Sequence, residues 1–207
     1  MKAGLVVVVL ILALTGCAPT TAPSPTASAP DGITYRDDPD LQRVWLADGV
    51  VLKSYEAFHV EEPRAEVAKL NPDGVESLAW ASTFLRDEIA SALRTKGVFP
   101  VVTVATADLK PGIRVLRLET TIIEYEKGGG GARFFAGLYG AGQPVIRVRG
   151  RVTDGDRQVF VFEARRSGDS GLARMFGGYR SDRAIQEEDI RDLAQDLADF
   201  VMRNGKR

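Results

Sequence analysis

The chain has 207 residues, 44% of them hydrophobic, and sets 27 Lys and Arg against 28 Asp and Glu for a formal net charge of −1. That is enough apolar material for one ordinary globular domain, and too even a charge balance to draw in a polyanion, so no nucleic-acid partner is expected. With Cys17 the sole cysteine, a disulfide framework, a cysteine-based zinc site and dithiol redox chemistry are excluded from the folded part.

Lys2 precedes an apolar run at residues 5–14, which is too short to span a bilayer comfortably and has the form of an export signal. Leu14, Thr15, Gly16 and Cys17 resemble the lipobox of bacterial lipoproteins: an aliphatic residue, two small ones that fit the signal peptidase, and the cysteine that receives lipid. The resemblance implies a signal peptide at residues 1–16 and a mature chain that starts at acylated Cys17 and reaches the membrane through that anchor. The competing readings are an ordinary cleaved signal that happens to contain a cysteine, or an uncleaved membrane helix. Ala18, where an aspartate would otherwise stand, is similar to the pattern of lipoproteins sorted to the outer membrane, and implies its periplasmic face. Residues 18–30 consist only of Ala, Pro, Ser and Thr. Such a segment is a semi-extended tether, and at about 3.1 Å per residue it reaches roughly 40 Å.

The remainder, 32–207, is read as a single α+β periplasmic domain with its core at about 50–203. Residues 31–48 are polar with a few apolar side chains (Leu41, Val44, Trp45, Leu46) and suggest a short helix or an irregular lead-in. Residues 50–60 alternate, with Tyr55, Ala57 and His59 on one side and Glu56, Phe58 and Val60 on the other, which predicts a first strand ended by Glu61, Glu62 and Pro63. A turn at 71–74 leads into a helix over 75–96, where Val75, Leu78, Ser82, Leu85, Ile89 and Leu93 recur at helical spacing before Gly97. Apolar runs at 98–105 and 113–126 predict two more strands. Strands at 145–153 and 158–166, joined across Asp154, Gly155 and Asp156, form a hairpin. A last helix opens near Ser181 or Asp182, runs through Ile185, Ile190, Leu193, Leu197 and Phe200, and stops before Gly205. The order β-α-β-β-β-β-α predicts a mostly antiparallel sheet of about five strands with two amphipathic helices on one face.

Two segments repeat one pattern. Ala132, Arg133, Phe134, Phe135, Ala136, Gly137 leads to Tyr139, and Ala173, Arg174, Met175, Phe176, Gly177, Gly178 leads to Tyr179. If consecutive strands run antiparallel, both leave the same end of the sheet. An arginine fork for carboxylate or phosphate, aromatic side chains and glycines that permit close backbone approach make Arg133, Phe134, Phe135, Tyr139, Arg174, Phe176 and Tyr179 a candidate interaction edge. The alternative is that Phe135 and Phe176 plug one end of the core and the glycines serve turns.

Other features favour structural roles. Arg147, Arg149 and Arg151 alternate along one strand as an anion-binding stripe would, but Glu163 on the next strand is placed to pair with them. Gly128 to Gly131 lack the Lys-Ser/Thr that completes a nucleotide loop, so a plain loop is expected. His59, the only histidine, has no nucleophile in a recognisable elbow. The acids Glu61, Glu62, Glu187, Glu188 and Asp189 read as a strand end and a helix first turn, where the helix dipole favours negative charge. No catalytic residue, metal site or cofactor is expected.

With the lipobox, the strand at 55–60, the glycine-rich stretch 128–142 containing Ala132-Arg133, the strand ending at Asp154-Gly155 and the closing helix, the chain resembles bacterial lipoproteins of the DUF4410 family over about residues 50–203. It departs from that pattern in its Asp-Gly-Asp turn, which has no Thr-Gly pair. The resemblance implies an envelope lipoprotein and supplies no catalytic residues. Three functions are open at this point: a non-catalytic binding or assembly module that holds an envelope protein, an auxiliary lipoprotein of an ABC-type lipid or small-molecule transport system with an apolar groove, and an envelope hydrolase.

Overall fold

A computed structural model describes residues 32–68, 70, 72–128, 143–168 and 181–205. Among the described residues, eight strands and two helices of ten residues or more make one mixed sheet with a helical layer on its inner face: β1 (Arg36–Asp38), β2 (Gln42–Leu46), β3 (Ala57–Val60), β4 (Arg64–Ala65), α1 (Pro72–Lys96), β5 (Val101–Thr103), β6 (Val115–Glu126), β7 (Val145–Asp154), β8 (Arg157–Ser167) and α2 (Asp182–Gly205). The strand order is β1-β2-β8-β7-β6-β3-β5, and β4 pairs with β6 beyond the end of β3.

The five expected strands and both helices are present, but the sheet is larger than five strands. The stretch read as a helix or lead-in is the β1-β2 hairpin, which pairs antiparallel with β8 through Val44↔Phe162 and Trp45↔Val161. The hydrophobic reason is narrow: Leu41 and Val44 alone of this stretch are wholly buried, too few to leave a periodic signature. The first expected strand is also shorter than its alternation suggested. Residues Leu52–Ser54 form a 3₁₀ turn, because Leu52 and Tyr55 turn into the core and the Tyr55 hydroxyl donates to Asp154 at 2.8 Å. Pro63, which has no N–H to give a ladder, separates β3 from β4 along the same flank of β6.

The expectation of antiparallel pairing holds for four of the seven strand pairings. β3 runs parallel to both β5 and β6, and β4 runs parallel to β6. The cause is α1, which carries the chain back over the sheet so that β5 starts where β3 started, as in a βαβ crossover.

The two helices run parallel to each other. Arg183 lies over the Trp80 ring at 3.0 Å, Arg191 pairs with Glu88 at 3.7 Å, and Lys96 pairs with Asp199 at 2.6 Å, so contacts advance in the same direction along both. Backbone chemistry fixes their ends: Ser181 Oγ accepts the Ala184 N–H at 3.2 Å as an N-cap, and the Gly97 N–H returns to the Leu93 carbonyl to close α1.

Inward side chains alternate along β6 (Leu116, Leu118, Ile122) and meet Leu85, Ile89 and Leu93 of α1 and Leu193 and Leu197 of α2, all wholly buried. Phe160 stacks on Phe162 and Phe200 at centroid distances of 5.6 and 5.1 Å. Each such side chain contributes roughly 1.5–3 kcal/mol relative to exposure. Gly150 sits directly beneath the Phe162 ring on this inner face, where a Cβ would overlap the ring atoms.

Candidate functional site

The strand register brings the flanks of the two arginine-aromatic segments to one end of the sheet. Glu126 at the end of β6 pairs with Val145 at the start of β7, which in turn pairs with Ser167 at the end of β8. The Gly168 N–H donates to the Pro144 carbonyl at 3.1 Å. The last described residue before the first segment, Gly128, has φ +87°, and a Cβ there would stand 3.0 Å from Asp182 Oδ1 and 3.1 Å from Pro144 N, so the backbone is drawn in against the start of α2. Arg133, Phe134, Phe135, Tyr139, Arg174, Phe176 and Tyr179, like Cys17, lie outside the described residues.

This end is braced by polar contacts. Tyr125, inward at the end of β6, shares a 2.5 Å hydrogen bond with Ser77 Oγ of α1 and donates to Gln186 Oε1 of α2 at 3.4 Å. Gln186 Nε2 donates to the Glu126 carbonyl at 3.2 Å, and Lys127 pairs with Asp73 at 3.4 Å. Both helix starts are thereby tied to the end of β6.

The outer face of the sheet is charged. Arg147, Arg149 and Arg151 do project from β7 on one side, and Glu163 does pair with the stripe: its carboxylate is 3.8 Å from Arg147 Nη1, 4.0 Å from Arg149 Nη2 and 3.5 Å from Arg43 Nη1 of β2. Arg147 also pairs with Glu124 at 3.2 Å, Arg165 with Glu124 at 3.3 Å, and Arg151 with Glu119 at 2.5 Å. Glu163 retains only 13% side-chain exposure beneath its arginines. Arg43, Glu119, Glu124 and Arg165 complete this lattice and were not singled out from sequence. Their signal was present as i, i+2 spacing with Arg147 to Arg151 across neighbouring strands, but reading it requires the register, which a β-bulge between Ile122 and Glu124 shifts by one residue.

His59 points to the same face from β3, yet it is only 4% exposed, because the 3₁₀ turn Thr106–Asp108 lies beside it. Its Nε2 is 3.5 Å from Thr106 Oγ1, and the neighbouring Thr103 hydroxyl donates to Asp108 Oδ2 at 2.7 Å. The nearby charges are Arg117 and Glu61, which pair with each other at 4.0 Å. Burial, reinforced by Arg117, holds the imidazole below its ordinary value of 6.5. The fold therefore prefers neutral His59. Its stabilising contribution is complete above pH 6.5 and is lost as pH falls through the lowered folded value. His59→Asn is expected to flatten the fall in melting temperature between about pH 7.5 and about pH 5.5. An unchanged fall in the variant, followed by circular dichroism, would show that other groups carry it. Among the described residues, no group of three His, Cys, Asp or Glu side chains is placed to hold a metal ion, and no helix is long and apolar enough to cross a membrane.

These features define an α+β domain in which a mixed sheet has one face covered by two parallel helices and the other laid out as an arginine-carboxylate lattice. No family model matches the chain and no curated protein matches its sequence, so the likeness to DUF4410 rests on the sequence motifs. Solved structures it is similar to include the PelC dodecamer from Paraburkholderia phytofirmans, at 17% identity and TM-score 0.47 over 74% of this chain and 96% of that one. A second is a protein of Xanthomonas campestris assigned to DUF330, at 14% identity and TM-score 0.42 over 73% and 86% of the two chains. A third is lipoprotein GNA1162 from Neisseria meningitidis, at 15% identity and TM-score 0.34 over 59% and 91%. Bacterial lipoproteins are thus among the structures this chain resembles.

Proposed function

We propose that this chain is a non-catalytic envelope lipoprotein, held at the periplasmic face of the outer membrane through Cys17, whose domain grips an envelope protein with the two arginine-aromatic segments. The observation that carries the reading is the shared exit of both segments: Glu126, Val145 and Ser167 lie in register across three adjacent strands. Segments 129–142 and 169–180, which carry Arg133 and Arg174, are joined to the described chain at those strand ends. Two arginines on one edge offer paired forks to carboxylates, and Phe135, Tyr139, Phe176 and Tyr179 supply the aromatic area that dominates binding hot spots. The neutral, buried setting of His59 beside Thr106 is that of a packing residue, which supports a module without catalysis.

Photo-crosslinking in living cells from Phe135 and from Phe176, with mass spectrometry of the products, tests the proposal. Capture of one and the same envelope protein from both positions is the expected result. Silence at both positions in a correctly anchored chain would instead make these aromatics a plug for the end of the core.

A further inference from the structure

We infer that the outer face of the sheet rests on anionic lipid headgroups of the membrane to which Cys17 tethers the chain. This rests on the anchoring part of the function proposed above. Although the whole chain is close to neutral, its charge is divided between its two faces. Across β1, β2, β6, β7 and β8 and the end of β3 the outward residues include six arginines, at 43, 117, 147, 149, 151 and 165, against Asp37 and the glutamates 61, 119, 124 and 163. Glu163 is shared by three of those arginines and Glu124 by two, so local pairing uses up the carboxylates before the guanidinium groups. Opposite, α2 carries seven Asp and Glu against three Arg. A domain so polarised turns its sheet towards a negative surface and its helices away from it.

Chain geometry agrees with that orientation. Tyr35 lies on the sheet's outer face with the Arg43 guanidinium over its ring at 5.1 Å, so the chain running back from Tyr35 towards Cys17 leaves the domain at the margin of the arginine lattice. The tether of residues 18–30, with a reach of roughly 40 Å, allows the face to meet the bilayer without strain. The arginine side chains keep a third to half of their surface exposed, within reach of lipid phosphates while the carboxylate partners stay in place.

The test uses the mature full chain carrying Cys17→Ser, which removes the acyl groups, in flotation with vesicles of phosphatidylcholine alone or mixed with phosphatidylglycerol. The expected result is flotation only with the phosphatidylglycerol vesicles, reversed by rising salt. Replacing Arg147, Arg149 and Arg151 together by Gln should weaken it about tenfold or more, since one arginine near an anionic surface is worth about a fivefold factor. The corresponding triple Lys variant should retain it, and Glu119→Gln should strengthen it, which keeps the test decisive if the Gln triple does not fold. Equal flotation with both vesicle types, or none with either, would overturn the inference. So would salt-sensitive oligomers without vesicle binding, which would give the face to a second copy of this chain. Anchoring is read separately, from flotation of the acylated chain on phosphatidylcholine alone, so its failure is distinguishable.

Discussion

Cys17→Ser is expected to move the protein from the detergent phase to the aqueous phase almost completely in cloud-point partitioning. Lipid attachment needs the cysteine thiol, which serine does not offer. A single acyl chain gives marginal and reversible binding, whereas two or more give stable anchoring at about 0.8 kcal/mol per buried methylene. The non-ionic detergent phase presents no anionic surface, so the arginine face adds nothing to the partition and the acyl chains alone decide it. If the variant partitioned like the wild type, residues 1–16 would have to act as an uncleaved apolar anchor, and the lipobox reading would fail.

Gly150→Val should produce the largest loss of stability of any single change in the sheet. Gly150 lies on the inner face of β7 between Phe162 of β8 and Thr120 of β6, and any Cβ falls within the ring of Phe162. That ring is itself fixed by stacking on Phe160, which stacks in turn on Phe200, so it has no neighbouring space to enter. Overpacking of this kind typically costs about 1–3 kcal/mol for added methyl groups and occasionally more, and the valine adds three carbons at the most crowded point. Gly150→Ala should cost less. Pairing it with Phe162→Leu should recover part of the loss in a double-mutant cycle by urea denaturation, because the smaller side chain vacates the clashing volume. Strictly additive losses would show that the ring moves aside freely.

The elements that sequence made legible are those with long hydrophobic periods. Leu78, Leu85, Ile89 and Leu93 announce α1, Leu193, Leu197 and Phe200 announce α2, and the long alternating runs of β6, β7 and β8 announce strands within a residue or two of their ends. The β1-β2 hairpin escaped because its strandedness is imposed by an open edge of β8 and by ion pairs, not by its own pattern: Arg203 grips Asp38 at 3.7 Å and Asp40 at 2.5 Å, and Arg166 donates to the Asp40 carbonyl at 2.7 Å and pairs with Asp196. Parallel pairing of β3 was equally invisible, since a four-residue strand buried on both faces reads the same in either direction. At the candidate site, the shared exit of the two segments follows from strand alternation alone, and Glu163 as partner of the arginine stripe follows from hairpin register. Burial of His59 does not, because the turn at Thr106 that covers it is 47 residues away in sequence.

The hairpin also sets a timetable. Its strand β2 has its sheet partner in β8, and its acidic turn is held by Arg166 and by Arg203 of α2, so the first part of the domain to emerge during synthesis depends on the last. Loop-closure entropy of this size slows folding markedly. The chain therefore has no complete edge to its sheet until nearly all of it is present, and under the envelope location proposed above the wiring of its own strands would keep it from folding before it has been exported.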